Sequence, residues 1–158
     1  MNGEIRLLLH LLEEGYAKQT WHGPNLRGSL RGVTPQQASW RPASGRHNIW
    51  EILVHAAYWK YTVRRRLLGE KRGSFPLKGS NWFKRPDRID RASLKADLRL
   101  LEDMHRSLHD AVRRMKPGSL HMRTSNSKFT NAHVIYGIAA HDIYHAGQIQ
   151  LLKRLQRI

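Results

Sequence analysis

Four segments of the chain repeat apolar residues at steps of three and four, which is the pattern of amphipathic helices. The first segment runs from about residue 3 to residue 31, and the Gly23-Pro24 break within it predicts a kinked helix or a restart. The other three predicted helices cover about residues 49–68, 91–115 and 131–157. Their heptad-like steps predict that the four helices pack along shared seams as a bundle.

Period-two alternation, the pattern of a half-buried strand, is not sustained in any segment, so the predicted fold class is all-α. The chain has 158 residues, 40% of them hydrophobic, which is enough for one core. We therefore expect a single four-helix-bundle domain spanning residues 1–158. The Gly- and Pro-containing stretch over residues 69–90 is longer than an ordinary connection and predicts a loop with a functional role.

The charge balance bears on the partners of the protein. Lys and Arg number 28 against 12 Asp and Glu, so the net charge is +16. Such a field attracts nucleic acid, anionic membranes or small acidic substrates. The basic residues are scattered, without a zinc finger, a helix-turn-helix or a basic-aromatic ladder, so we expect nucleic-acid binding to be non-specific at most. A small, anionic substrate is the expected partner.

The absence of cysteine and of long apolar runs restricts the chemistry and the compartment. Without cysteine the chain has no disulfide, no thiolate metal site and no cysteine nucleophile. No apolar run approaches the roughly 20 residues of a membrane-spanning helix. The N-terminus enters a charged amphipathic pattern directly and lacks the regions of a signal peptide. We therefore expect a cytoplasmic protein with no membrane partner.

The fourth predicted helix carries polar residues in the middle of its core stripe. Taken at steps of four and three from Val134, the stripe is apolar at both ends, but its central positions are His141, His145 and Gln148. Such groups need partners when they are buried, and a metal ion is one of the best. His141 and His145 share a helix face one turn apart and can converge on one cation, as in zinc helices of the HExxH type, although the glutamate of that motif is missing.

The second predicted helix adds a histidine of the same kind. His55 lies between Ile52 and Trp59 in an apolar stripe. Three histidines from two helices of one bundle would form a His₃ site with an open coordination position, as catalytic zinc has. The alternative is that each is a core histidine whose ring nitrogens are satisfied by protein neighbours.

Three stretches of sequence carry a resemblance to a known family. They are HNIWEILVH at 47–55, HDIYHAGQI at 141–149 and WHGPNL at 21–26. A histidine midway along the second helix and an HxxxH on the last helix resemble the DinB/YfiT-like family. Its members are DNA-damage-inducible four-helix-bundle proteins described as metal-dependent hydrolases. The resemblance covers nearly the whole chain in helix order and spacing.

The resemblance implies an up-down-down-up bundle and a divalent metal, zinc or nickel, bound by His55, His141 and His145. Characterised relatives include bacillithiol transferases and a mycothiol-dependent maleylpyruvate isomerase, in which the metal activates a cofactor thiol. We therefore expect a metal-dependent enzyme that activates water, as a hydrolase, or a low-molecular-weight thiol, as a transferase or isomerase. We also expect a homodimer. The alternatives are a basic nucleic-acid-binding protein with a structural metal and a non-catalytic interaction protein.

Three further residues are weak candidates for a catalytic role. Glu51 lies one turn before His55 and could accept a proton, but with Asn48 it also forms an asparagine version of the capping box. His22 beside the Gly-Pro break is a candidate for the pocket mouth or a surface loop histidine. Gln148 is expected to form a hydrogen bond across the bundle to the first helix.

Other polar and aromatic residues receive structural predictions. His105 lies on the core stripe of the third predicted helix, whereas His109, four residues later, falls off it. We therefore expect His105 to be a hydrogen-bonded core histidine. Asp142 is expected to hold a group on a neighbouring helix. Trp82, in the long loop, is a candidate lid.

Overall fold

The computed structural model describes residues 2–85, 90–125 and 127–157. Within these ranges the chain is helical, with no strand apart from an isolated bridge between Arg123 and Thr130. The helices are α1 Gly3–Tyr16, α2 Leu26–Leu30, α3 Pro35–Ser39, α4 Ile49–Leu67, α5 Arg91–Arg113 and α6 Asn131–Leu155, and a 3₁₀ helix covers Pro117–His121. The all-α prediction is confirmed. Across these same residues, no helix combines the length and apolar character needed to cross a membrane.

The first predicted helix is interrupted by more than a kink. α1 ends at Tyr16, and the chain becomes helical again only at Leu26. Pro24 is not part of either helix; Asn25 follows it and caps the first turn of α2 with its side chain. Of the two predicted outcomes, a kinked helix over residues 3–31 and a restart, the structure shows the restart, because a side-chain cap begins a new helix after the proline.

The other long helices begin at the capping residues that their sequences predict. The Asn48 side chain accepts a hydrogen bond from the Glu51 N–H, and the Glu51 carboxylate accepts one from the Asn48 N–H, which completes the capping box of α4. Asp90 caps α5 and Thr130 caps α6. Each of these helices ends within two residues of its predicted end, which is ordinary fraying.

The four long helices contact one another in a ring. α1 and α4 each pack against both α5 and α6, and the short α2 and α3 cover α6 and α4. Two apolar clusters fill the interior, one containing Trp50 and Leu53 and the other Leu12 and Ile135. α1 comes close to α6 at Gly15, where a Cβ atom would lie 2.7 Å from the carbonyl oxygen of Ala139.

A buried ion pair joins α4 to α6. Lys60 donates to Asp142, and both side chains are 0% exposed. The prediction that Asp142 holds a group on a neighbouring helix is confirmed. The Lys60 ammonium also lies 5.1 Å from the centre of the Tyr16 ring on α1. Because Asp142 follows His141 directly, this pair helps to set the rotation of α6 against α4 where the histidines lie.

The long connection after α4 folds back over that helix. Its described part, residues 69–85, contains no regular element, while residues 86–89 of the predicted loop lie outside the described residues. Phe75 and Phe83 pack against Tyr58 of α4 with ring centroids 5.3 Å away in each case. These contacts place the segment that carries Asn81 and Trp82 beside the middle of α4.

Candidate metal centre

The side chains of His55, His141 and His145 meet between α4 and α6. Nε2 of His141 lies 3.1 Å from Nε2 of His55 and 3.0 Å from Nε2 of His145. One possible ligand atom from each residue lies within 4.8 Å of the other two. His55 and His145 are buried and His141 is partly buried. The tertiary structure thus brings together the three residues that the sequence singles out.

Hydrogen bonds on the outer side of two rings determine which nitrogen faces the centre. Nδ1 of His55 lies 2.8 Å from the carbonyl oxygen of Asn81, and Nδ1 of His145 lies 2.7 Å from Oε1 of Gln148. A carbonyl oxygen only accepts, so each Nδ1 carries the proton and donates it. Nε2 of both rings therefore presents a lone pair towards Nε2 of His141. This is the outer hydrogen bonding that orients histidine ligands in metal sites.

Burial keeps the cluster neutral at pH 7. Loss of solvation is the main cause that lowers the pKa of His55 to about 4 and the pKa of His141 to about 3, and the neighbouring histidines add to both shifts. Burial also lowers the pKa of His145. Neutral imidazole is the form that binds metal ions, so none of the three rings has to lose a proton first.

Asn81 is a site residue that no pattern in the sequence marks. Its backbone carbonyl accepts the proton of His55, and its side-chain oxygen accepts a hydrogen bond of 2.9 Å from the indole of Trp59. Its φ of 62° lies in the left-handed region, which asparagine enters more easily than most residues. Every residue type has a main-chain carbonyl that can accept a hydrogen bond, so residue type could not identify Asn81. The unusual length of the loop was the only feature of the sequence that pointed to this segment.

Trp82 forms a wall of the site. Its ring stacks on His55 with centroids 3.9 Å apart and on His47 with centroids 3.5 Å apart, and the planes are within 12° of parallel in both pairs. The loop thereby covers one face of a cluster histidine with an apolar surface. The structure places the candidate lid residue against the cluster.

Glu51 is engaged outside the cluster. Its two carboxylate oxygens accept hydrogen bonds of 2.5 and 2.7 Å from Arg41, and one of them lies 3.2 Å from Nδ1 of His47. Burial by itself raises the pKa of Glu51, but the hydrogen bonds from Arg41, the Asn48 backbone and His47 outweigh it and lower that pKa. This geometry favours the structural role of Glu51 over that of a general base.

The other two weak candidates differ in position. His22 is exposed in the segment between α1 and α2 and lies outside the cluster. Gln148 lies at the site, but its partners are His145 and the Tyr144 hydroxyl on its own helix. The predicted hydrogen bond from Gln148 to the first helix is therefore wrong, because the Nδ1 proton of His145 is a nearer partner one turn away.

His105 and His109 belong to a separate cluster around Glu13. Nε2 of His105 lies 3.2 Å, and Nε2 of His109 3.6 Å, from the same carboxylate oxygen. His105 also stacks on Tyr16, and burial lowers its pKa to about 2. The prediction of a hydrogen-bonded core histidine is confirmed. Within residues 2–85, 90–125 and 127–157, a triad of possible metal ligands forms only at His55, His141 and His145.

Comparison with protein families matches residues 18–149 to the DinB superfamily. The matched region is more than half of the chain. It contains α4, most of α6 and all three histidines, whereas α1 precedes it. Neither curated proteins nor solved structures gave a match. The resemblance seen in the sequence is confirmed, and the chain belongs to the DinB superfamily.

Proposed function

We propose that this protein is a metal-dependent enzyme in which His55, His141 and His145 hold a divalent ion through Nε2. The observation that supports the proposal is the convergence of three neutral imidazoles, two of them oriented by hydrogen bonds at Nδ1. A bound ion would act as a Lewis acid that lowers the pKa of a water molecule or of a small thiol. Zinc and nickel are the proposed metals, because both accept imidazole ligands.

The proposed framework is the up-down-down-up bundle of the family, formed by α1, α4, α5 and α6. The ring of contacts among these helices supports it. Three imidazole ligands leave a coordination position open, which distinguishes a catalytic site from a closed structural one.

The protein's own residues orient and shield the cluster. Asn81 and Gln148 hold the protons of His55 and His145 at Nδ1, which keeps Nε2 free. Trp82 excludes water from one face of His55. The chain contains no cysteine, so any thiol nucleophile comes from a small molecule. The net charge of +16 favours an anionic substrate.

The decisive measurement is metal content by mass spectrometry, on protein purified without a metal-affinity resin. We expect about one divalent ion per chain, with strong loss in His55→Ala, His141→Ala and His145→Ala, because two protein ligands compete poorly with water. His105→Ala is the matched control, since it removes an equally buried histidine from the interior and should retain the metal. All variants are first checked for helical content by circular dichroism. Metal loss in His105→Ala with retention in His55→Ala would move the site to α5 and α6.

The reaction class is tested on the metal-loaded protein. Hydrolysis of small anionic esters or amides without added thiol supports a hydrolase. Turnover of electrophilic substrates only when a low-molecular-weight thiol is added supports a transferase or isomerase. Absence of both activities in metal-loaded protein would contradict the proposed enzyme and favour the non-catalytic alternative. Cytoplasmic location stays a prediction.

A further inference from the structure

A cleft lies between α2 and α5, with the end of α1 at its base, and we call it the α2–α5 cleft. Its volume is about 790 Å³, which is within the range of sites that hold small molecules. The histidine cluster lies between α4 and α6, and the described lining of the cleft contains no residue of either helix. In the ring of long helices the α1–α5 contact is opposite the α4–α6 contact, so the cleft and the candidate metal centre are separate.

Each side of the α2–α5 cleft carries a pair of exposed cationic side chains. Arg27 and Arg31 line the α2 side, and Lys95 and Arg99 line the α5 side. Lys95 and Arg99 are one turn apart on α5, where like charges repel each other. Arg31 is the C-cap of the short helix that carries Arg27. Four cations around one cleft repel each other, and an anion between the two sides would neutralise that repulsion.

The carboxylate in the described lining, that of Glu102, offsets little of this positive charge. Glu102 accepts a hydrogen bond of 2.8 Å from the Tyr16 hydroxyl, and it lies 3.6 Å from Nε of Arg27. The other three cationic side chains of the cleft form no hydrogen bond or ion pair with the part of the chain that the structure describes. A cleft lined by charges of one sign concentrates the electrostatic field and attracts ions of the opposite sign. Three cationic groups are therefore available to a ligand.

The floor of the α2–α5 cleft is apolar. Leu30, Leu101 and the ring of Tyr16 line it as buried residues, and Leu98 lines it as a half-buried one. An apolar floor with a few charged groups around it is typical of sites for small organic molecules, in which the apolar surface binds the body of the ligand and the charges fix its orientation. A hydrated inorganic ion would use the cations but not the floor. The lining therefore fits a ligand that has both an apolar body and an anionic group.

We propose that the α2–α5 cleft binds a small molecule that has an apolar body and an oxyanion group such as a carboxylate or a phosphate. The body would lie against Leu98 and Leu101, and the oxyanion would contact the cations on the two sides. Arginine suits this role because its guanidinium group donates paired hydrogen bonds to such oxygens. Binding in the cleft requires no metal, so its test is independent of the proposed function.

The probe is 8-anilinonaphthalene-1-sulfonate, which joins an aromatic body to one sulfonate and fluoresces in apolar surroundings. Titration of the full chain at physiological salt, with chelator present so that no metal holds the probe, should show saturable binding. Lys95→Gln/Arg99→Gln should weaken it by at least about 10-fold, because it removes charge-assisted contacts. Both residues are exposed and glutamine is a good helix former, so the variant retains its fold, which circular dichroism checks. Lys116→Gln/Arg123→Gln is the matched control, since it removes one exposed lysine and one exposed arginine outside the cleft and should bind like the wild type.

Equal affinity in the wild type and Lys95→Gln/Arg99→Gln overturns the proposal, as does an equal loss in the matched control, which would show attraction to net charge alone. N-phenyl-1-naphthylamine, the same aromatic body without the sulfonate, should bind the wild type and the cleft variant alike. An equal loss for this neutral compound would contradict the role of the cations.

Competition against the sulfonate probe tests the class of ligand. We expect 1-naphthyl phosphate to displace the probe, whereas inorganic phosphate at the same concentration should not, because it has no apolar body. Equal displacement by inorganic phosphate would contradict the apolar part of the site. Displacement by a short DNA duplex but not by 1-naphthyl phosphate would assign the cleft to nucleic acid and overturn the proposal.

Discussion

Replacing Lys60 with methionine tests the buried ion pair that joins α4 to α6. Methionine keeps the length and apolar character of the lysine stem but removes the ammonium group. Asp142 then remains in the interior without its partner, and its Oδ1 atom already has no hydrogen-bond partner among the described residues. The carboxyl group must either stay charged in an apolar environment or take up a proton.

The expected loss of folding free energy in Lys60→Met follows from the complete burial of both side chains. Removing one partner of a buried ion pair destabilises proteins by about 3–5 kcal/mol. For a domain of this size, about 1 kcal/mol changes Tm by roughly 2–4 °C, so Lys60→Met should lower Tm by about 6–20 °C. The double variant Lys60→Met/Asp142→Leu should recover most of this loss, because it leaves no charge without a partner.

The assay is denaturant unfolding of four metal-free proteins: the wild type, the two single variants and the double variant. Chelator removes any contribution from bound metal, and the double-mutant cycle isolates the interaction between the two side chains. A loss below about 1 kcal/mol in Lys60→Met, or a double variant as unstable as the sum of the single variants, would refute the reasoning.

The pH dependence gives a second check on the same variant. Burial raises the pKa of Asp142, and Lys60 opposes that rise in the wild type. Without Lys60 the folded state binds a proton that the unfolded state releases, so stability falls as pH rises towards the raised pKa. The deficit of Lys60→Met relative to the wild type should therefore be smaller at pH 5 than at pH 8. A deficit that grows on acidification contradicts a buried, unpaired carboxylate.

Four further predictions concern the histidines and the charged surface. Removing bound metal with chelator should lower Tm, because the ion binds only the folded chain; an unchanged melting curve after confirmed metal loss contradicts the site. The metal-free protein should lose stability as pH falls below 6.5, because the unfolded chain protonates His55, His141 and His105 at a higher pH than the folded chain does. For His55, whose folded pKa is about 4, the free energy of unfolding should fall by about 3 kcal/mol by pH 4. Denaturant unfolding at pH 7.5 and pH 5 measures the loss. Gln148→Leu should weaken metal affinity about 10- to 100-fold in competition titrations, whereas Gln148→Glu, which keeps an acceptor for His145, should not. DNA binding should be weak, lost at physiological salt and independent of sequence in titrations at two salt concentrations, because the sequence carries no base-reading motif. Sequence-selective binding at physiological salt would favour the nucleic-acid alternative.

Local chemistry determines much of this protein directly from its sequence. The starts of the long helices depend on a capping side chain and the three residues after it, so Asn48 and Thr130 mark α4 and α6 without any tertiary information. The shared face of His141 and His145 follows from helical geometry alone. His55 interrupts the apolar stripe of α4 in the same way that His141 and His145 interrupt that of α6. This shared pattern identifies His55 as the third member of the cluster.

Other features depend on contacts between residues far apart in the chain. Whether α1 continues beyond Tyr16 depends on how the chain reaches α2, and periodicity cannot distinguish one kinked helix from two separate ones. The predicted partner of Gln148 is wrong because the rotation of α6 against the neighbouring helices decides which group is nearest. No residue type predicts the Asn81 carbonyl as an acceptor, since every residue has one.

The arrangement around the histidines is therefore a tertiary property. Helical spacing places His141 and His145 side by side, but only the packing of α4 against α6 brings His55 within 3.1 Å of His141. Only the return of the long loop places Trp82 on the ring of His55. The physical reason is that helix periodicity relates residues only one or two turns apart. Burial, ion pairing and ring stacking depend instead on which residues the folded chain brings together, and these can be far apart in the sequence.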